Sequence, residues 1–302
     1  MTALADVRWI HGTPRRGQLE DPLIQVHWHD DDTVLLRQSK STSFEAPFLF
    51  LLLGRERALL LDTGASKDPE RFPLRRTVDT LLGEWLAAHP DVDASAYELV
   101  VAHTHGHGDH VAGDEQLADR PGTTVVSREL EAVQEFFGFT DWPAQVVTFD
   151  LGGRALEITG IPGHHRASIA VHDPATKFLL TGDTVYPGRL YVEDPPAFLD
   201  SLDRLVELAA NREVTYVLGC HVEMTSTPGR DYALGTTYQP HEAPWPMSVT
   251  QLVAVRDAAR SLAGKPGAHA YDDFAIWNGP CHGAALRQVA RGLWGRLRPP
   301  RP

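Results

Sequence analysis

His103-Thr-His-Gly-His-Gly-Asp-His110 sets four histidines and one aspartate in one short stretch, directly after Glu98-Leu-Val-Val-Ala102, an apolar run that reads as a buried strand. Imidazole and carboxylate are preferred ligands of zinc and related metals, and alternate positions on a loop can aim two side chains at one ion. On that geometry His105 and His107 face one metal while Asp109 and His110 turn toward a second. Gly106 and Gly108 read as the backbone freedom needed by a loop wrapped around an ion. The competing reading is a solvated histidine-rich loop. His103, two residues ahead of the pattern, reads as structural.

Upstream, Phe48-Leu-Phe-Leu-Leu-Leu53 and Ala58-Leu-Leu-Leu61 form a strand pair turned by Gly54-Arg-Glu-Arg57. Val78, Leu81, Leu82, Trp85 and Leu86 recur at helical spacing, and Pro90 closes that helix. Downstream, the pattern predicts a helix over about 110–118, a strand over 123–127 and a helix over 129–137. Two hairpins follow, strands 145–150 and 154–159 around Gly152-Gly153, and strands 168–173 and 177–181 around Asp173-Pro-Ala-Thr176. A helix over 196–210 leads to the strand Val214-Thr-Tyr-Val-Leu218. Residues 222–247 lack periodicity and read as a long loop, a place where function concentrates. Helices over 248–263 and 284–296 and a frayed tail at 298–302 complete the chain, with no linker to divide it. A single domain over 1–302 is expected.

Composition narrows the function. Among 302 residues, 28 Lys and Arg stand against 40 Asp and Glu, a net charge of −12, which argues against a binder of nucleic-acid phosphates. Two cysteines, Cys220 and Cys281, cannot build a disulfide framework or a cysteine zinc cluster. The first residues do not form a secretory signal, and the most apolar run, Ala46 to Leu53, is far shorter than the roughly 20 residues that span a bilayer. The expected setting is the cytoplasm, with a small-molecule substrate, no nucleic-acid or membrane partner, and an oligomeric state the sequence leaves open. Fifteen histidines are present, yet His27-Trp-His29, ahead of three aspartates, reads as a solvated strand end and turn.

Three more segments place ligand-type residues beside expected strands: Ile161-Pro-Gly-His-His165, Leu180-Thr-Gly-Asp-Thr184 and Leu218-Gly-Cys-His221. Taken in order with Leu60-Leu-Asp-Thr-Gly64 and the histidine stretch, they resemble the five motifs of the metallo-β-lactamase superfamily, over a core of about 44–221 followed by a loop and helical region at 222–302. The resemblance implies an α/β fold, a four-layer αβ/βα sandwich of two mixed sheets with helices on both outer faces. It implies His105, His107 and His164 as ligands of one metal, Asp109, His110 and His221 as ligands of a second, and Asp183 as the bridge. Asp62 would support the ligands from behind. The implied cofactors are two divalent ions, zinc first, with manganese or iron as alternatives. His165 and Cys220, beside expected ligands, read as packing residues.

The implied activity is a dinuclear hydrolase, in which a hydroxide bridging the ions attacks the carbonyl of an ester, lactone or thioester and Asp109 orients the nucleophile or relays a proton. No Gly-x-Ser-x-Gly, phosphate loop or dinucleotide fingerprint offers another chemistry. Members that hydrolyse β-lactams with a cysteine ligand carry it where this chain has Asp183, and flavodiiron members replace the second loop histidine, here His107, by glutamate. The alternatives of the same fold are a mononuclear iron dioxygenase acting on persulfides, a phosphodiesterase and a non-catalytic binding protein. For substrate contact, Tyr186 and Tyr191 are candidate oxyanion donors, Arg189 a candidate partner for a carboxylate, and Tyr238 and Trp245 candidates for a pocket wall. Basic residues like those with which glutathione-thioester hydrolases hold the glutathione carboxylates find no match in 222–302.

Overall fold

The computed structural model describes residues 4–14, 21–262 and 265–297, so the expected frayed tail at 298–302 lies outside the described residues. The first sheet follows chain order: β1 (Ile24–Asp30), β2 (Thr33–Gln38), β3 (Phe48–Leu53), β4 (Arg57–Leu61), β5 (Glu98–Ala102) and β6 (Thr123–Val125). Neighbours are antiparallel from β1 to β4 and parallel from β4 to β6. Parallel neighbours need a crossover, and α1 (Leu74–Ala88) supplies the one between β4 and β5. β3 is buried at all six positions, because alternate side chains serve two cores. Leu49, Leu51 and Leu53 pack with Val78, Leu81, Leu82 and Trp85 of α1, while Phe48, Phe50 and Leu52 face the opposite way.

Past the short helices α2 (Gly108–Val111) and α3 (Leu130–Phe137), the chain builds the second sheet from β7 (Val146–Asp150), β8 (Ala155–Gly160), β9 (Ile169–Asp173) and β10 (Phe178–Gly182). After β11 (Arg189–Val192) and α4 (Pro195–Asn211), β12 (Tyr216–Gly219) joins this sheet parallel to β10. Leu156, Ile158, Val171, Phe178 and Leu180 meet Phe48, Phe50, Leu59 and Leu61 between the sheets. On the outer face Ala170, Leu179 and Val217 pack under Phe198, Leu202 and Leu205 of α4 and under Leu252 and Val255 of α5 (Val249–Ser261). The result is four layers, helix, mixed sheet, mixed sheet and helices, as expected. Among the described residues no helix is long and apolar enough to cross a membrane.

Beyond the hairpin of β1 and β2, of which the sequence reading marks only a strand end at 27–29, two features differ from it. The helix expected over 110–118 stops after α2 and resumes as a 3-10 turn at Asp114–Gln116. The cause is competition for backbone partners: the His110 carbonyl accepts from Thr63 N at 2.7 Å, and Ala112 N donates to Gly64 O at 3.1 Å. The second is a third sheet, in which β11 pairs parallel with β14 (Ala275–Asn278), itself antiparallel to β13 (Gly267–Ala270), ahead of α6 (His282–Leu297). Its strands have four residues each, too short for alternation to register in the sequence. The long loop carries isolated bridges, Val217↔Met247, Met224↔Asp231 and Thr225↔Glu242, and no named strand or helix.

Candidate metal centre

Every donor of the site follows a strand end on one edge of the sandwich. Asp62 succeeds β4, the histidine stretch succeeds β5, 161–165 succeeds β8, Asp183 succeeds β10, and His221 lies two residues past β12. Strand ends are held by ladder hydrogen bonds, so the side chains just beyond them are placed rigidly. Gly182, at φ 53°, lets the chain turn where a Cβ would come within 2.7 Å of Thr104 Cβ. Gly163, at φ 133°, lies so near α4 that a Cβ would stand 2.4 Å from the Phe198 backbone. Gly106 and Gly108, by contrast, do not use left-handed backbone. The loop needs no special freedom there, and the visible demand at Gly106 is space, since a Cβ would meet the His165 ring at 3.1 Å.

The donors fall into two sets. His105 Nε2, His107 Nδ1 and His164 Nε2 stand 3.1 to 3.2 Å from one another. Three corners of a tetrahedron with zinc–nitrogen bonds of ~2.05 Å lie about 3.3 Å apart, so the triad has the spacing of a metal site. The second set, Asp109, His110, Asp183 and His221, keeps its ligand atoms within 4.8 Å of one another. His110 Nε2 and His221 Nε2 are 3.4 Å apart, and each is 3.4 to 3.5 Å from Asp109 Oδ2. Asp183 joins the sets: Oδ1 lies 3.4 Å from His221 Nε2 and 3.6 Å from His110 Nε2, while Oδ2 lies 3.9 Å from His164 Nε2. Asp183 Oδ1 is buried and has no hydrogen-bond donor among the described residues, an arrangement that suits a cation.

Behind the donors a second layer fixes the rings. His164 Nδ1 donates to Tyr191 O at 2.8 Å, His221 Nδ1 to Glu45 O at 3.1 Å, and His110 Nδ1 to Asp62 Oδ2 at 2.9 Å. Thr104 Oγ1 spends its proton on Asp62 Oδ2, so it accepts from His105 Nδ1 at 3.1 Å. In each of these rings the outer nitrogen carries a proton that fixes the ring, so the inner nitrogen is the one presented to the centre. Asp62 is the hub: fully buried, at φ 72°, it also accepts from Thr104 N at 2.7 Å and from Cys220 Sγ at 3.3 Å. Cys220 is therefore a hydrogen-bonding neighbour of the site as well as a packing residue. His103 pairs with Asp114 Oδ1 at 2.9 Å, and His165 stands outside both sets, accepting from Ala167 N at 3.2 Å.

The electrostatics separate the two sets. Burial, together with the neighbouring rings of His110, His164 and His107, holds His105 neutral, well below the ordinary histidine value. Burial opposes charge on His221 too, but Asp183 and Asp109 outweigh it and raise the ring to about 9. His110 is raised in the same way by Asp62 and Asp183 against its burial. Asp183 is drawn down to about 2 by His221 and His110 despite burial, and Asp109 lies far below the carboxylate range through its hydrogen bonds to His110 and His221. The second set thus has the field of a cation site, and metal chemistry suits both sets.

Several expected substrate contacts are corrected. Arg189 is buried and committed, pairing with Glu223, with Asp231 Oδ2 at 2.9 Å and with Tyr232 O at 2.8 Å, so its charge is already matched. The Tyr186 hydroxyl is buried and spends its proton on Arg189 O. Trp245 is core, stacked on Phe48 at 3.7 Å between ring centroids with Nε1 donating to Gly219 O at 2.7 Å. Tyr238 is half-buried, and its ring contact is His11 at 5.9 Å. Tyr191 is the remaining candidate: partly exposed, it accepts from Arg189 Nε at 3.1 Å and keeps its own proton to donate. The sequence reading missed Glu45, whose carboxyl is pushed up to about 7 by burial and by Asp109, Glu223 and Asp183 against the pull of His221. It also missed Glu193, 3.7 Å from His107 Nε2. Neither residue sits in a motif, and no sequence signal marks them.

Comparison with known proteins agrees with this architecture. A solved metallo-beta-lactamase from Pontibacter korlensis superposes with a TM-score of 0.50 at 20% identity, covering 78% of this chain and 99% of that one, a likeness of fold. A hydroxyacylglutathione hydrolase of Pseudomonas aeruginosa is 36% identical over 140 residues, 43% of this chain and 49% of that protein. Another from Rhizobium meliloti is 32% identical over 108 residues, 35% of this chain and 42% of that protein. The chain spans about half the length of the curated relatives it matches. The family profile described as the metallo-beta-lactamase superfamily matches residues 45–221, more than half of the 302, with all five motifs inside or at the edge of that span. By that match and by the four-layer fold, the chain belongs to the metallo-beta-lactamase superfamily.

Proposed function

We propose that the chain is a metal-dependent hydrolase that holds two divalent ions, zinc by its nitrogen and carboxylate donors, and cleaves a thioester or ester of a small acyl substrate. The observation that carries this reading is Asp183, whose two oxygens face two compact donor sets. A mononuclear iron dioxygenase would leave the second set of Asp109, His110, Asp183 and His221 without a task. Support for the bond class comes from the relatives named hydroxyacylglutathione hydrolase.

Bound there, two such ions supply Lewis acidity toward the substrate oxygen and bring the pKa of water toward neutrality. The chain's own residues do the rest. His105, His107 and His164 would hold one ion and Asp109, His110 and His221 the other, with Asp183 shared between the two donor sets. Asp109 is the partly exposed carboxylate of the set, placed to orient the attacking group and to carry its proton to the leaving sulfur or oxygen. The Tyr191 hydroxyl can donate to the substrate oxygen while Arg189, anchored by Glu223, fixes its position. No side-chain nucleophile is required, and Cys220 is unsuited to the role, since burial and Asp62 hold its thiol protonated.

The test is metal analysis of the purified chain beside a panel of thioester, ester, lactone and phosphodiester substrates. Two divalent ions per chain, thioester or ester turnover that ends on chelation, and recovery with zinc, manganese or cobalt are expected. One iron per chain with oxygen uptake on a persulfide, or full activity in verified metal-free protein, would overturn the reading.

A further inference from the structure

His165 follows the donor His164 and belongs to neither set, yet its half-buried ring stands against two donor rings, 5.1 Å from His107 and 5.9 Å from His105 between centroids. Its main chain is pinned, the carbonyl accepting from Ser168 N at 3.1 Å. One hydrogen bond fixes its tautomer. Ala167 N donates to Nδ1 at 3.2 Å, so Nδ1 presents a lone pair and the ring proton is on Nε2. That N–H has no acceptor among the described residues, and Nε2 is not closed off from solvent. Gly106 keeps this edge of the ring clear, since a Cβ there would stand 3.1 Å from Cε1 and 3.2 Å from Nε2. A donor beside the first set is therefore free for a molecule that enters the site.

The charges around it select an uncharged partner. Arg128 faces Glu129 at 3.9 Å, and Arg166 pairs with Glu129 at 2.9 Å and with Glu131 at 3.7 Å. Glu193 adds a further carboxylate, 3.7 Å from His107 Nε2. The two arginines are thus offset by Glu129, Glu131 and Glu193, and no surplus cation stands there to hold a substrate carboxylate. A neutral imidazole N–H calls for one acceptor, and an ether, hydroxyl or carbonyl oxygen supplies it. Water serves the N–H when the site is empty, so the gain on binding is that of a single neutral hydrogen bond.

We propose that His165 is a specificity-determining residue of the site, its Nε2–H taking an uncharged oxygen of the substrate outside the scissile bond, in the acyl group or in the thiol. The proposal rests on the hydrolase reading. Three thioesters test it on the metal-loaded full chain: S-butyl butanethioate, which lacks such an oxygen, S-butyl methoxyethanethioate, with one in the acyl group, and S-(2-methoxyethyl) butanethioate, with one in the thiol. Each kcat/KM is divided by the rate constant of hydroxide with the same thioester, which removes the intrinsic effect of the oxygen. At least one ether should be preferred over the all-carbon thioester by roughly three- to tenfold, through KM. His165→Asn keeps an acceptor where Nδ1 meets Ala167 N and has no donor at the place of Nε2, so the preference should vanish. His165→Gln carries an N–H at the place of Nε2, so the preference should persist. Both variants, with folds checked by circular dichroism, should hold as much metal as the wild type by mass spectrometry. No turnover of any of the three by the wild type would overturn the hydrolase reading and the proposal with it. Turnover without an ether preference, a preference that persists in His165→Asn or vanishes in His165→Gln, or loss of metal in both variants would overturn the proposal alone.

Discussion

Asp62 concentrates the logic of the site in one side chain. Its carboxylate takes hydrogen bonds from Thr104 N, Thr104 Oγ1, His110 Nδ1 and Cys220 Sγ, all of them donors. Asp62→Asn keeps the volume but turns an NH₂ toward groups that need an acceptor, so His110 loses its fixed tautomer. We expect metal affinity at the second set to fall about 10- to 100-fold, measured by calorimetric titration, with the fold retained. Unchanged affinity would remove Asp62 from the support of the site. Arg189 gives the opposite kind of outcome. Because its buried guanidinium pairs with the partly buried Glu223 and Asp231, Arg189→Met takes that cation from Glu223 while Asp231 keeps Arg291, and a loss of about 1–3 kcal/mol in urea unfolding is expected. A selective rise in KM with unchanged stability would instead restore Arg189 as a substrate contact.

Among the elements, the hairpin of β8 and β9 is fastened to the first sheet by Arg154 and Asp173, both buried. Arg154 donates to Asp173, to Thr33 Oγ1 at 2.8 Å and to Leu53 O at 3.3 Å, so one side chain closes the edge where the two sheets meet. Burial would raise the Asp173 carboxyl, but Arg154 and the Thr176 hydroxyl outweigh it, and its value lies below the ordinary one. A carboxylate depressed in the folded state stabilises it fully above its unfolded value of about 3.9, and that contribution fades as pH falls through the folded value. Asp173→Asn should therefore lower stability at pH 7, and the gap to wild type should narrow in acid; a constant gap from pH 7 to pH 3 in urea unfolding would contradict this. Trp245, stacked on Phe48 and bonded to Gly219 O, pins the long loop against β3 and β12. Trp245→Ala should cost about 3–5 kcal/mol, read in the same way.

At the scale of the whole molecule, what the sequence disclosed follows from how each feature is encoded. The histidine stretch, Asp183 and His221 were legible because each belongs to a short segment that directly follows an apolar strand and carries ligand-type residues beside glycine. The layers were legible because β3, β10 and α1 carry unbroken apolar runs or stripes. The carbonyls of Tyr191 and Glu45 that hold His164 and His221 were not, because a backbone oxygen has no sequence identity. Arg189 and Trp245 were misread for a related reason: their partners Glu223, Asp231 and Phe48 are remote in sequence, and only the fold brings them together.

The central claim is that two donor sets share one carboxylate, and Asp183→Asn tests it most directly. The substitution keeps the volume of the side chain and removes the charge that faces both His164 and the pair of His110 and His221. Metal content by mass spectrometry, beside circular dichroism on the same sample, should give two divalent ions per chain for the wild type and one or none for the variant, with matching spectra. Two tightly held ions in Asp183→Asn would contradict the account.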